Sequence, residues 1–460
     1  MQKRFFFTTI FTYTLLALCL VPQSVLALDL STIDAPYAIL VDAANDEVLF
    51  EQNAYDRAYP ASITKVMTGI IVAQAIDDGE ITLDDMVTAD ILAEEGLSIY
   101  GSSQGIATGE TLSVDDLLHC LLIASANEAG NILAVEIAGS QQGFVDRMNA
   151  KSKQLGCIDT HYANTHGLHD EDHYTTAYDI YLTLKEAFTY PILADIMGTS
   201  VYETAASNLE EPREFYNTNA LLTEWYYRGY TYNPCIGGKT GSTSAAGRCL
   251  AAAAVSGSEY LISVVLGSES VTLPDGSVVQ KQFKQSRDLL QWGINDFDHR
   301  TISSGTDPIT QVVVNLSEET DFVMVMAEGS ISKTLPVSMD LDEISSDIHL
   351  FNTEVDAPVF KGDKMGTITL SYEGEVYGTL DLVAVNDVER SELLYQQQQV
   401  MLFFDQWGLT LAFGSVGLCV GIALISLYFR SSRRPSQSQS SRSRQRSRSR
   451  TRNQRRNRRY

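Results

Sequence analysis

Three short clusters in this 460-residue chain bring together the side-chain types that nucleophilic chemistry needs. The first is Ser62-Ile-Thr-Lys65. Residues three apart share a helical face, so in a helix the Lys65 amine reaches the Ser62 hydroxyl. Serine is a poor nucleophile at its own pKa and needs an adjacent base. A neutral lysine is such a base once burial or a second cation lowers its pKa from ~10.4. Pro60-Ala61 place Ser62 at a helix start, where free backbone N–H groups can stabilise an oxyanion. The second cluster is Ser125-Ala-Asn127, the only Ser-x-Asn in the chain. Here Ser125 offers a proton relay and Asn127 a partner for a substrate amide. The third is Lys239-Thr-Gly241, also unique. Lys239 offers a positive charge and Thr240 a hydroxyl for a substrate carboxylate. Gly241 leaves room for an extended substrate along a strand edge. Each cluster alone also reads as an ordinary helix cap or strand end. Ser330-Ile-Ser-Lys333 repeats the first spacing in a strand-and-turn setting, so that spacing arises easily by chance.

The clusters need elements to hold them. Tyr37–Asp42 and Val48–Glu51 read as strands joined by a polar turn at Asn45-Asp46. The spacing of Val66, Ile70, Ala73 and Ile76 predicts a helix from Ser62 to Ile76, stopped by Asp77-Asp78-Gly79. Ser113 with Asp116 resembles a capping box that opens a second helix, up to about Ala124. A third helix follows Asn127 up to Gly139. Cys235 to Leu266 then turns to strand character, with a turn expected at Gly241–Ser244. Residues 35–295 therefore read as one α/β domain. From 300 to 388, short strands such as 312–315, 322–326, 366–370 and 380–384 predict a small all-β domain. Residues 389–408, with four consecutive glutamines, read as a helical stalk.

Composition excludes wholesale disorder, at 44% hydrophobic and 20% charged residues. The net charge of −25 is the sum of unlike parts. Between Leu28 and Phe429 stand 18 basic and all 58 acidic residues, whereas 430–460 holds 13 arginines and no acidic residue. An acidic body argues against nucleic acid as its main partner. Lys3-Arg4, an apolar run and Val25-Leu-Ala27 predict a secretory signal peptide over residues 1–27. Residues 409–429 carry no charge and are long enough to span a ~30 Å hydrocarbon core. The arginines that follow predict a cytoplasmic tail at 430–460. Its Arg, Ser, Gln and Asn content is too polar to fold, and anionic lipid, RNA or a protein are its candidate partners. Outside the membrane, Cys235–Cys249 is a candidate cross-strand disulfide and Cys120–Cys157 a second candidate pair. His161, His166, His169 and His173 invite a metal-site reading. The segment reads instead as a substrate-side or structural loop, and no metal or cofactor is expected.

Ser-x-x-Lys at a helix start, Ser-x-Asn between helices and Lys-Thr-Gly on a strand, in this order, form the set found in penicillin-binding proteins and class A β-lactamases. The chain resembles the serine D-alanyl-D-alanine carboxypeptidases, the low-molecular-mass penicillin-binding proteins, from about Ala35 to Val388. The resemblance rests on Pro60–Met67, Ser125–Ala129, Asn164-Thr-His-Gly-Leu168, His173-Tyr-Thr-Thr-Ala177, Gly238–Gly241 and Ala357–Gly362. It implies an α/β fold: a β-lactamase/penicillin-binding-protein-like transpeptidase domain, then a small all-β domain, a stalk and one transmembrane helix. It implies acyl transfer, in which Ser62 is deprotonated by Lys65 and attacks the penultimate D-Ala of a peptidoglycan stem peptide. Ser125 would shuttle the proton to the leaving terminal D-Ala. Asn127 and Lys239 would orient the site, Thr240 would hold the carboxylate, and the Ser62 and Ser242 N–H groups would form the oxyanion hole. β-Lactams are then expected to acylate Ser62. The alternatives are a β-lactamase, against which the absence of a Glu-x-x-Leu-Asn loop argues, and a non-catalytic membrane-anchored wall-binding protein. The Arg-rich tail departs from the family pattern.

Overall fold

A computed structural model describes residues 28–432. The expected signal peptide and nearly all of the basic tail lie outside these residues. The described chain divides into two compact units. One comprises residues up to Thr306 with Ala327–Ile348 and Thr367–Leu380; the other comprises the remaining segments from Asp307 onward.

The first unit is built on a five-stranded antiparallel sheet. Its strands are β1 (Tyr37–Asp42), β2 (Glu47–Gln52), β3 (Cys235–Thr243), β4 (Gly247–Ser256) and β5 (Glu259–Ser268), in the order β2-β1-β5-β4-β3. The period-2 alternation of a strand sends successive side chains to opposite faces. Ile39 and Val41 of β1, with Ile262 and Val264 of β5, join the larger core beneath helices α1 (Thr64–Asp77), α2 (Val114–Leu122), α3 (Asn127–Ala138), α4 (Gln141–Gln154), α5 (Ala177–Ala187) and α6 (Pro191–Gly198). Leu40 and Val265 face the other way, against Phe283, Leu289 and Leu290 of α7 (Lys281–Asp296). The sheet is thus sandwiched between one helix and a cluster of six.

Two local signals read from the sequence act as expected. Ser113 caps α2, its Oγ accepting the Asp116 N–H at 3.0 Å and donating to the Asp116 carboxylate at 2.8 Å. Gly139 ends α3 in the left-handed conformation, φ +69°. Two expectations are corrected. The helix expected from Ser62 opens with a 3-10 turn, Ala61–Ile63, before α1 proper begins at Thr64. The turn expected at Gly241–Ser244 falls later: Gly241, Ser242 and Thr243 belong to β3, and Thr243 pairs with Gly247. That register places Cys235 opposite Ala254 and Cys249 opposite Gly241, so the Cys235–Cys249 pairing does not form. All four candidate cysteines are free thiols, Cys120 and Cys157 included.

Residues 297–384 are strands joined by turns, with one short 3-10 turn at Leu341–Glu343. In Pro308–Asn315, Val312 and Val314 are buried while Val313 is exposed, the alternation of a one-sided strand. The Ser330–Lys333 look-alike lies on the strand Ile331–Pro336. There the Lys333 ammonium pairs with Glu47 at 3.2 Å, a structural role. The glutamine-rich stretch and the apolar run form one helix, α8 (Glu392–Ser431), long and apolar enough to cross a membrane, with mean hydropathy 2.1 in its most apolar stretch.

Candidate active site

The three clusters meet at one cavity of about 230 Å3. Ser62 is carried by the 3-10 turn, Ser125 by the bend between α2 and α3, and Thr240, Gly241 and Ser242 by β3. Lys65 and Lys239 are buried beside it, at 0% and 1% exposure.

Lys65 Nζ lies 3.0 Å from Ser62 Oγ, 2.7 Å from Asn127 Oδ1 and 2.8 Å from the His166 carbonyl oxygen. Two of these partners only accept. A neutral amine has two N–H groups and one lone pair, so Asn127 and His166 can take both hydrogens while the lone pair faces the Ser62 hydroxyl. Burial drives the Lys65 pKa well below the ordinary lysine value, the nearby Lys239 charge drives it further, and Glu128 opposes both. Burial also brings Lys239 down to about 7. An arriving carboxylate favours the charged form and would restore the Lys239 proton. Lys239 Nζ donates to the Thr240 carbonyl at 3.2 Å, and the Thr240 and Thr218 hydroxyls are hydrogen-bonded at 2.6 Å.

Backbone strain is also present at this place. Ala61 and Ser125 hold positive φ, +48° and +65°, without being glycine. Such conformations cost ~1–3 kcal/mol and persist where the surroundings enforce them. At Ala61 the enforcement is visible. The Ala61 carbonyl accepts the Thr64 hydroxyl at 2.8 Å, and Thr64 Oγ1 lies 2.8 Å from His173 Nε2. His173 Nδ1 accepts the Ala163 N–H at 3.2 Å, so Nε2 carries the hydrogen and donates to Thr64. Gly167 packs against the same carbonyl: a Cβ there would sit 1.8 Å from Ala61 O, and its φ of +86° already requires glycine. Gly241 approaches from the sheet side, where a Cβ would meet Pro60 O at 2.8 Å and Ser62 N at 3.2 Å.

These contacts explain the histidine-rich loop. Asn164 Oδ1 accepts the Gly167 N–H at 2.7 Å and its amide donates to Leu168 O at 3.0 Å, closing the turn that aims the His166 carbonyl at Lys65. Thr165 Oγ1 donates to Asn131 at 2.6 Å, and Thr68 donates to the Thr165 carbonyl at 2.6 Å, fixing the loop to α3 and α1. Burial holds both His166 and His173 at a pKa of about 3, hence neutral. Among the described residues no cluster of three His, Cys, Asp or Glu is arranged to hold a metal.

The cavity also takes in residues the sequence reading missed: Ser102, Tyr226, Tyr227, Arg248, Gln282 and Phe283. Arg248 stands opposite Ser242 across β3–β4, and among the described residues its side chain has no ion-pair or hydrogen-bond partner. Its position follows from strand register, which no local motif signals.

The profile of the D-alanyl-D-alanine carboxypeptidase family matches residues 23–270, and that of the penicillin-binding protein 5 C-terminal domain matches residues 297–390. The chain belongs to the D-alanyl-D-alanine carboxypeptidase family. It is 32% identical to the D-alanyl-D-alanine carboxypeptidase DacC of Escherichia coli, over 82% of this chain and 90% of that one. It is 30% identical to DacF of Bacillus subtilis, over 78% of this chain and 87% of that one. Among solved structures it is similar to penicillin-binding protein 6B of Escherichia coli, at 27% identity and TM-score 0.57, covering 79% of this chain and 98% of that one. Penicillin-binding protein 5 of Haemophilus influenzae gives 28% identity and TM-score 0.56, covering 78% and 98%. This carboxypeptidase is a serine enzyme with a penicillin-binding transpeptidase domain and a small all-β C-terminal domain.

Proposed function

We propose that Ser62 is the nucleophile that removes the terminal D-Ala from peptidoglycan stem pentapeptides, with Lys65 as its base. The observation that carries this reading is the Lys65 amine, fully buried, 3.0 Å from Ser62 Oγ, with two acceptors for its own hydrogens. As Ser62 Oγ bonds to the penultimate D-Ala carbonyl carbon, its proton passes to Lys65. The carbonyl oxygen becomes an oxyanion facing the Ser62 and Ser242 N–H groups. Collapse breaks the D-Ala–D-Ala C–N bond, with Ser125 relaying the proton from Lys65 to the leaving amine. Water then attacks the ester, releasing the shortened peptide and returning the proton to Ser62. Lys239, Thr240 and the unpaired Arg248 receive the terminal carboxylate, Asn127 orients Lys65 and the substrate amide, and Gly241 lets the peptide lie along β3. A β-lactam presents a similar amide and carboxylate and acylates Ser62.

At the membrane, α8 is the anchor, with the enzyme outside the cell and the arginine-rich tail in the cytoplasm. This follows from the arginines at 430, 433 and 434 directly after the apolar run. Thirteen arginines without an acidic residue suit an anionic surface, at ~1 kcal/mol per basic residue near anionic lipid.

Incubation with a fluorescent penicillin tests the nucleophile. The wild-type chain takes up one label per molecule and Ser62→Ala takes up none; a labelled Ser62→Ala protein would refute the assignment.

A further inference from the structure

Glu128 is a buried carboxylate for which the acyl-transfer steps have no use. It lies in the first turn of α3, next to Asn127, and is 3% exposed. One oxygen, Oε1, accepts three donors: Ser103 Oγ at 2.8 Å, Gln104 N–H at 2.6 Å and Gly105 N–H at 3.1 Å. The other, Oε2, is buried with no partner among the described residues. Burying an ionised carboxylate costs several kcal/mol unless opposite charge or hydrogen bonds compensate. Three donors on one oxygen answer part of that cost, and the helix N-terminus favours a negative charge. The next residue back, Asn127, holds the Lys65 amine at 2.7 Å, so the buried charge that Glu128 answers is Lys65, which has no ion-pair partner among the described residues.

The segment that Glu128 clamps directly follows Ser102, a wall of the cavity. The Ser102 carbonyl accepts the Asn127 N–H at 3.0 Å, and its hydroxyl donates to the Ala124 carbonyl at 3.2 Å. Fixing 103–105 therefore fixes the wall facing Ser125 and Asn127.

We propose that Glu128 is a positioning residue of this site: it clamps the 103–105 wall and supplies the buried counter-charge for Lys65. The inference rests on Lys65 being the base for Ser62. The charged and titratable groups around Lys65 are Lys239, which disfavours its proton, Glu128, which favours it, and the His166 and His173 rings, both neutral through burial. Removing the Glu128 charge thus lowers the Lys65 pKa, and the acid limb of the pH profile moves to lower pH.

The test is the pH profile of kcat/KM for D-Ala release from a stem pentapeptide by the full-length chain. In Glu128→Gln the acid limb moves down by roughly one pH unit or more, the effect of one charge within about 12 Å at an effective dielectric near 20. In Glu128→Asp, which keeps the charge, it stays in place. Ser103→Ala removes one donor and leaves the charge, so KM rises several-fold with the limb unmoved, and this variant serves even if Glu128→Gln fails to fold. An unmoved limb in folded Glu128→Gln, equal shifts in the Gln and Asp variants, or wild-type KM in Ser103→Ala would overturn the proposal. A parent enzyme with no acid limb would instead overturn the assignment of Lys65.

Discussion

At Lys65 the geometry and the protonation state support each other. The Asn127 and His166 oxygens can only accept, so they hold the amine's hydrogens and direct what remains at Ser62. Burial then supplies the electrostatics, since an unpaired ammonium at 0% exposure is disfavoured and the balance moves toward the free base. Arg248 extends this reasoning to the substrate. A guanidinium without a partner inside a cleft keeps its donors available for a bidentate carboxylate. Losing such a charged hydrogen bond costs about 1.5–3 kcal/mol. Steady-state kinetics of Arg248→Ala should therefore show kcat/KM for a pentapeptide reduced roughly 10- to 150-fold. An amidated substrate, which lacks the carboxylate, should lose far less; equal losses on both substrates would remove Arg248 from carboxylate binding. Ser62, Lys65, Ser125, Asn127 and Lys239 were legible in the sequence because each lies in a short local motif. Arg248 and Glu128 were not, because their roles depend on strand register and on a loop folding back across α3.

The elements hold Ala61, the residue before the proposed nucleophile, in a conformation it would not adopt alone. The positive φ of Ala61 is maintained from three sides: α1 through Thr64, the loop through Gly167 and His173, and β3 through Gly241. Gly167→Ala strains its own backbone and drives a methyl into the Ala61 carbonyl, so the Ser62 turn must shift. Positive-φ strain with overpacking costs ~2–4 kcal/mol, which for a unit of this size lowers Tm by roughly 3–6 °C. Penicillin acylation should slow by more than the stability loss explains, measured well below Tm; wild-type acylation in a folded Gly167→Ala would show that the turn does not depend on this contact. The element pattern was mostly legible. β1 appeared at its expected bounds, and α2 and α3 began at their predicted starts. The start of α1 was obscured because Ala61–Ile63 form a 3-10 turn, and the helix beyond it is buried and apolar on most faces, so periodicity carries little information about its bounds. The β3–β4 turn was misplaced because Gly241 and Ser242 are turn-type residues held in the strand, Gly241 for close approach to Ser62 and Ser242 in register with Arg248.

On the scale of the whole molecule, the charge of −25 belongs to no single surface. The acidic body contains the proposed catalytic cleft, at which the basic residues Lys65, Lys239 and Arg248 stand. The arginines of the tail follow α8 and serve the membrane side of the proposal. A chain ended after Arg390 should remain in solution in a flotation assay with phosphatidylglycerol vesicles, whereas the full chain rises with them. Flotation of the shortened chain would remove α8 from the anchoring role. The central claim, that Ser62 and Lys65 form a carboxypeptidase site, is tested most directly by D-Ala release from a stem pentapeptide by the detergent-solubilised full chain. One D-Ala per peptide is released by the wild-type protein and none by Ser62→Ala. Release by Ser62→Ala, or none by the wild type while it still binds penicillin, would contradict the account.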